Sequence, residues 1–205
     1  GYMVGAVLIN ADLFVPQSRP RVFVIGTKGP IPSSLRGIRP SWAHSNALAK
    51  LGESIADFIW WDLPRPPARS IALEDIVEDD IPFDKDRTTL LIPERHRVKF
   101  RESGSVYATG YRRTRNGRQV LELRCDGTAG CLRTPAGRRD GEEMHARLLT
   151  VREVARLMGA PDDFELPGTY NDGFFAMGDA VAVPVAKYLA ENVLFQLVEA
   201  ANGLE

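Results

Sequence analysis

Two apolar runs near the start of the chain, joined by a loop containing proline and arginine, constrain its fold more than any other feature. Residues 3–9 and 21–25 are each almost continuously apolar. Runs of this length predict β-strands, and their continuity is typical of strands buried on both faces. The connecting loop ends in Pro16-Gln17-Ser18-Arg19-Pro20. We therefore predict an α/β protein in which an arginine-bearing loop leads into a strand.

Gln17, Arg19 and Arg21 occupy alternate positions at the end of this loop. Alternation along a strand would place Arg19 and Arg21 on one face. A planar guanidinium group can grip a phosphate or the carbonyl edge of a base through two donors. Arginines at strand edges are also common without any ligand, so the pattern alone leaves both interpretations open.

The middle of the chain combines breaker residues with short strands. Residues 29–34 form a proline- and glycine-rich cluster that is typical of a domain boundary, and residues 47–61 hold a short amphipathic helix. Asn116-Gly117 is a strong hairpin signal, and it lies between strand-like residues 106–111 and 119–124.

Two helices are predicted to close the chain. Thr150 and Glu153 have the spacing of a capping box, and Gly159 with Pro161 ends that helix after about two turns. Asp179 is a good N-cap for the last helix. That helix has an apolar residue at every fourth position, which gives it one apolar face: Val181, Val185, Leu189, Val193 and Leu197.

Charge is strongly segregated along a chain whose net charge is only −1. Residues 87–139 carry thirteen Lys and Arg against four Asp and Glu, whereas residues 53–86 and 140–205 are acidic. A basic block of this kind favours contact with a polyanion. A solvated basic face is the alternative explanation.

Composition excludes several other classes. No apolar run reaches the 18–20 or so residues of a membrane span, and no signal peptide opens the chain. Cys125 and Cys131 give no disulfide framework, and they are interpreted as small packing residues. The three histidines form no recognisable ligand set, so no metal site is expected.

Three segments, taken in order, resemble conserved blocks of the DNA cytosine-5 methyltransferase family. The first, ending Pro16-Gln17-Ser18-Arg19-Pro20-Arg21, resembles that family's Asn-Ala…Pro-Gln-x-Arg-x-Arg block. Residues 147–161 resemble its Arg-x-Leu-Thr-x-Arg-Glu-x-x-Arg-Leu-x-Gly-x-Pro block. Gly178-Asp179-Ala180-Val181 resembles the closing Gly-Asn-Ala-Val block, with aspartate where the family usually has asparagine. Residues 111–115 and 127–135 resemble a bacterial and prophage branch.

This resemblance implies the carboxyl-terminal portion of such an enzyme. Its fold class is α/β, namely the end of a Rossmann-like S-adenosylmethionine-dependent methyltransferase domain with a small, mainly β target-recognition domain. The implied division is 1–29 for the end of the catalytic sheet, 30–146 for target recognition and 147–205 for a helical return to the catalytic domain. A bacterial cytoplasmic, nucleoid-associated location is expected, with no membrane.

The resemblance also implies roles for individual residues. Arg21 would hold the flipped cytosine and help to position a catalytic glutamate, while Arg19 and Gln17 would brace the active-site loop. Asp179 and Ala180 would lie near bound S-adenosyl-L-methionine. The family's reaction is attack of a cysteine thiolate on cytosine C6, methyl transfer to C5 and elimination. Contacts to double-stranded DNA are expected from residues of the basic block: Arg112, Arg113, Arg115, Arg118, Arg124, Arg133 and Thr134.

Other parts of the family's catalytic machinery do not occur in these 205 residues. The glycine-rich cofactor loop, the Pro-Cys nucleophile and the Glu-Asn-Val block are missing, and neither Cys125 nor Cys131 follows a proline. The chain alone is therefore expected to be inactive. The expected partner is the amino-terminal portion as a separate chain, or else a second copy of this chain. A non-catalytic DNA-binding module and a pseudo-subunit that only stabilises a methylase are the alternatives.

Overall fold

A computed structural model of the chain describes residues 1–78, 92–130, 135–140, 143–166 and 168–203. The strands are β1 (Met3–Asn10), β2 (Pro20–Thr27), β3 (Arg36–Gly37), β4 (Trp60–Trp61), β5 (Tyr107–Arg115), β6 (Arg118–Arg124), β7 (Pro135–Asp140) and β8 (Glu143–Leu148). The helices are α1 (Asn46–Glu53), α2 (Glu94–Glu102), α3 (Val151–Leu157), α4 (Tyr170–Asp179), α5 (Val183–Leu189) and α6 (Phe195–Ala201), with a π-helical turn at Ala190–Leu194 between the last two.

The chain divides into two compact units, and neither is continuous in sequence. The first unit comprises residues 1–10, 20–68 and 184–205. The second comprises residues 11–19 and 69–183. The sequence-based division into residues 1–29, 30–146 and 147–205 separates the chain by expected function rather than by compactness. It stays a prediction.

In the first unit, β1 and β2 form an antiparallel ribbon in which Met3 pairs with Thr27 and Asn10 with Pro20. Both strands were predicted, and the structure confirms them with slightly wider bounds. Burial on both faces was also predicted, and for β2 that prediction is wrong, because Val22 is 56% exposed and Val24 71% exposed. Among the described residues β2 pairs only with β1, so one edge of the ribbon is left open.

The opposite edge of the ribbon is covered within the same unit. Ile59 donates its backbone N–H to Val4, and Leu8 donates to Ala43. Gly5 lies so close to this segment that a Cβ atom there would be 2.1 Å from the carbonyl oxygen of Ile59. The glycine therefore permits the close approach of residue 59 to β1.

The last helical segment begins later than the sequence suggested. Asp179 is the final residue of α4 rather than the N-cap of the last helix, and α5 starts at Val183. The predicted apolar face is confirmed from Val185 onward, whereas Val181 precedes the helix and is 45% exposed.

No apolar run of membrane-spanning length was expected from the sequence, but the helical stretch from Tyr170 to Ala201 is long and apolar enough to cross a membrane by length and composition, with a mean hydropathy of 1.3 over 18 residues. Its helical course is interrupted at Ala180, where the backbone is extended. One third of that window is buried. Core helices have the same length and composition, so this finding alone does not establish a membrane span.

The second unit is built around a four-stranded antiparallel sheet in the order β6-β5-β7-β8. The predicted hairpin is confirmed, since Asn116 and Gly117 both have positive φ angles, of 49° and 72°. A small core lies between helix α2 and this sheet. Its members are Ile92, Phe100, Ala108, Leu121 and Ala146.

Helix α3 begins at a buried ionic network. Thr150 and Glu153 form the predicted capping box. The carboxylate of Glu153 also accepts two bonds of 2.7 Å from the guanidinium of Arg147 and one of 2.8 Å from the backbone N–H of Glu78. This network ties the end of β8 and the segment at Glu78 to the start of α3.

Candidate functional site

The loop of the first motif is held by backbone bonds within the second unit. Ser18 donates to the carbonyl of Ala129 at 2.8 Å, and Ala129 donates to the carbonyl of Pro16 at 2.7 Å. Gln17 is only 1% exposed. Its side-chain amide has no hydrogen-bond partner among the residues that the structure describes. A buried amide in this state is costly in a finished protein core, so it marks a position where a polar partner would fit.

Arg19 reaches from this loop to the end of α4. Its Nη2 donates to the carbonyl oxygens of Gly178 at 2.5 Å and Ala180 at 2.8 Å. The side chain is 9% exposed. The first and third sequence motifs are therefore joined directly by hydrogen bonds, across 159 and 161 positions of the chain.

Arg21 has a different environment from Arg19. It lies in β2 opposite Ile9 and is exposed, and its Nη1 donates to the neighbouring carbonyl of Pro20 at 2.9 Å. Because β2 begins at Pro20, strand alternation does not extend to Arg19, and the predicted shared face is wrong. The guanidinium of Arg21 is therefore accessible to a ligand.

The third motif lies where α4 ends. Asp179 is exposed, and Ala180 has an extended conformation with φ −68° and ψ 157°. An exposed carboxylate beside an extended backbone can accept hydrogen bonds from an amine or from hydroxyl groups. We call residues Gly178–Ala180 the α4 terminus.

The predicted DNA-binding arginines fall mainly on the β5–β6 hairpin. Arg118 is exposed and has no ionic partner among the described residues. Arg115 is 63% exposed and pairs with Glu122 at 2.6 Å. Arg112 pairs with Leu121 and Arg113 with Val120 in the strand register. Arg133 and Thr134 lie outside the described residues.

Arg124 is already neutralised by a neighbour. Its Nη2 donates to Asp126 at 2.6 Å, and this bond, with further ones from Thr128, lowers the pKa of Asp126 to about 2. The adjacent Cys125 is exposed, so its interpretation as a packing residue is wrong. Cys131 lies outside the described residues.

Two features of this site were not predicted from the sequence. The first is the bonding of Arg19 to the α4 terminus, for which no local pattern exists because the partners are 159 or more positions apart. The second is the network at Glu153, which extends beyond the predicted capping box to Arg147 and Glu78. The spacing of Thr150 and Glu153 indicates the cap, but no local pattern identifies Arg147 and Glu78 as further partners of Glu153.

Comparison with known proteins gives a family match along most of the chain. The sequence model of the C-5 cytosine-specific DNA methylase family matches residues 1–194. The type II methyltransferase M.NgoPII of Neisseria gonorrhoeae is 30% identical over 196 residues, which is 94% of this chain and 55% of that protein. DNA (cytosine-5)-methyltransferase CMT3 of Arabidopsis thaliana is 54% identical over 43 residues, which is 21% of this chain and 5% of that protein.

A solved structure supports the same fold. The DNMT2 structure from Spodoptera frugiperda matches with a TM-score of 0.54 and 16% identity, covering 97% of this chain and 58% of that one. At this identity the likeness concerns the fold, which is an α/β methyltransferase fold. The chain spans little more than half the length of the relatives that it matches from end to end.

Proposed function

The chain belongs to the C-5 cytosine-specific DNA methylase family, and on that basis we propose that it is the carboxyl-terminal portion of a DNA (cytosine-5) methyltransferase. The observation that carries this proposal is the bonding of Arg19 to Gly178 and Ala180. The order of the motifs leads to an expectation that the first and last belong to one site, and a direct bond between them supports that expectation. The intervening sheet with its basic hairpin would recognise the target DNA.

The proposed cofactor is S-adenosyl-L-methionine, which supplies an electrophilic methyl group when bound. Asp179 and Ala180 fit the edge of such a site, because the carboxylate is exposed and the backbone at residue 180 is free of helical geometry. The nucleophilic cysteine and the remainder of the cofactor site would come from the amino-terminal portion, since no Pro-Cys pair occurs in this sequence.

The proposed substrate is a cytosine extruded from double-stranded DNA. Extrusion costs a few kcal/mol, which contacts in the pocket and along the backbone must offset. The exposed guanidinium of Arg21 would bond the flipped base, and the buried Gln17 would bond the active-site loop. Contacts to phosphate are assigned to the basic block, in which Arg115 and Arg118 are exposed.

We place the chain in a bacterial or prophage branch of restriction-modification methylases. The match to a bacterial type II methyltransferase along 94% of the chain supports this placement. Residues 1–29 and 147–205 would then complete a catalytic domain, and residues 30–146 would recognise the target. The protein would act in the bacterial cytoplasm, associated with the nucleoid.

Replacing Arg21 by alanine in the assembled enzyme is expected to lower the rate of methyl transfer about 100-fold, because a preorganised donor to the reacting base is lost. The chain is combined with the amino-terminal portion, labelled S-adenosylmethionine and DNA, and incorporation of label is followed. Lys28→Ala is the matched control, since Lys28 is an exposed cation just beyond the other end of β2. It should leave the rate unchanged.

The same experiment separates the alternative functions. Absence of transfer by the wild-type assembly would leave a DNA-binding module or a stabilising pseudo-subunit as the better explanation. Equal transfer by wild type and Arg21→Ala would remove Arg21 from the site while retaining the enzyme.

The partner is proposed from the open edge of β2. Val22 and Val24 are exposed on this strand, and residues 22–27 contain neither charge nor proline. An apolar edge of this kind promotes pairing with another strand. The relatives are nearly twice as long as this chain, so we assign this surface to the amino-terminal portion of the methylase.

Val24→Lys is expected to weaken association with the amino-terminal portion by about tenfold or more, because a charge replaces an apolar contact at the interface. Folding of the chain itself should not change, since Val24 is already 71% exposed. Light scattering and calorimetric titration measure the effect. Ile38→Lys is the control, because Ile38 is 96% exposed and lies outside the ribbon. A chain that stays monomeric and does not bind the amino-terminal portion would contradict the assignment. Formation of a dimer at high protein concentration would indicate self-association instead.

A further inference from the structure

The bonds that Arg19 makes have a consequence for the residues that it holds. The last carbonyls of a helix have no partner within the helix, and they form its negative end. A buried guanidinium donates to two carbonyls at the end of α4, those of Gly178 and Ala180. Arg19 therefore supplies both hydrogen bonds and positive charge at the position where a helix end is stabilised by a cation.

Helix α4 does not end by the usual glycine device. Helices commonly finish with a glycine in the left-handed region, where backbone N–H groups return to satisfy the last carbonyls. Gly178 is not among the glycines with positive φ, and Ala180 turns directly into an extended conformation. A side chain from a distant loop satisfies the carbonyls instead.

The backbone at Arg19 is held by hydrogen bonds, as its guanidinium is. Its own carbonyl accepts a bond of 3.2 Å from the backbone N–H of Ala11. The preceding residues Pro16 and Ser18 are bonded to Ala129. The guanidinium thus acts on the α4 terminus from a loop that is itself fixed to the second unit.

Asp179 lies between the two bonded carbonyls, while its side chain is exposed. We propose that Arg19 is a positioning residue for the methyl donor: it bonds the carbonyls of Gly178 and Ala180, the residues on either side of Asp179, and so presents the carboxylate of Asp179 and the backbone of Ala180 to S-adenosylmethionine. This inference rests on the proposed function. It differs from bracing of the active-site loop, because the group that Arg19 controls belongs to the third motif.

The test measures binding of S-adenosylmethionine and of DNA separately, in the chain assembled with the amino-terminal portion. Arg19→Ala is expected to raise the Kd for S-adenosylmethionine about tenfold, as loss of a charged hydrogen-bond donor predicts. Binding of DNA should change less than twofold. Arg19→Lys keeps the charge but lacks the planar fork, so it should fall between alanine and wild type.

Arg152→Ala is the matched control. Arg152 also donates to two backbone carbonyls of the second unit, those of Pro161 and Phe164, but among the described residues it forms no hydrogen bond with the α4 terminus. If Arg19 has a purely structural role, Arg19→Ala should weaken the binding of S-adenosylmethionine and of DNA equally. Both losses should then follow from a lower stability of the variant. Thermal unfolding of each variant identifies that case.

A double-mutant cycle with Asp179→Ala tests whether Arg19 acts through Asp179. If it does, Arg19→Ala should raise the Kd for S-adenosylmethionine less than twofold when residue 179 has already been replaced by alanine. Additive losses overturn the proposal, as does an unchanged Kd in Arg19→Ala. Failure of the wild-type assembly to bind S-adenosylmethionine at all overturns the proposed function together with this inference, whereas the other two outcomes overturn this inference alone.

Discussion

Replacing Glu153 by alanine is expected to destabilise the second unit by about 3–5 kcal/mol, since removal of one member of a buried ion pair leaves the other charge unpaired. The side chains of Arg147 and Glu153 are 2% and 0% exposed. The carboxylate accepts from Arg147, from Glu78 and from Thr150, so all of these donors lose their acceptor at once. Native-state hydrogen exchange of the amides of α3 and α4 measures the loss.

Two comparisons show whether the unpaired charge causes this effect. The double variant Arg147→Met, Glu153→Leu should recover most of the stability, because a buried pair exchanged for packed apolar side chains is often close to neutral. Glu191→Ala breaks the exposed pair of Lys187 and Glu191, and its effect should be small. A loss in the double variant as large as in Glu153→Ala would point to missing backbone bonds rather than to the stranded guanidinium.

Features that depend on neighbouring residues were predictable from the sequence. The capping box at Thr150 requires only a hydroxyl and a carboxylate three positions apart, and the hairpin at Asn116 requires only two residues that tolerate positive φ. The apolar face from Val185 to Leu197 follows from helical spacing alone. Each of these features depends on interactions and spacings between residues that are close in sequence.

Helix α4 shows why other parts were missed. It contains Gly173 and Gly178, and glycine disfavours a helix by about 1 kcal/mol relative to alanine. Gly173 is nevertheless required, because a Cβ there would lie 2.3 Å from Cγ1 of Val151 in α3. Packing against α3 thus overrides local propensity, and Asp179 closes one helix instead of opening the next.

The exposure of β2 and the role of Arg19 depend on long-range partners. The apolar sequence of residues 22–25 predicts a strand with covered faces, but it does not distinguish cover by this chain from cover by another chain. Val24 is 71% exposed, so within the described residues little covers the face of β2 on which it lies. The family resemblance assigned Arg19 to a site, but only the fold identifies the carbonyls that it bonds.

Binding of the chain to a fluorescent mixed-sequence duplex is expected to weaken about 500-fold between 50 and 200 mM salt, as follows if about five phosphates are neutralised and log K falls against log[salt] with a slope near −4.5. The basic block from 87 to 139 supplies the charge for this interaction. Fluorescence anisotropy at a series of salt concentrations measures the slope directly. An affinity that does not change with salt would contradict an electrostatic footprint.

Single substitutions then locate the phosphate contacts. Arg118→Ala should reduce the magnitude of the slope by about 0.9, the value for one phosphate, because Arg118 is exposed with no ionic partner among the residues described. Arg124→Ala should change the slope less, since Asp126 already neutralises that guanidinium. Lys187→Ala removes an exposed cation outside the basic block and serves as the control. Equal changes in all three slopes would mean that DNA responds to the overall charge of the chain, whereas an ordered series assigns the contact to the tip of the β5–β6 hairpin.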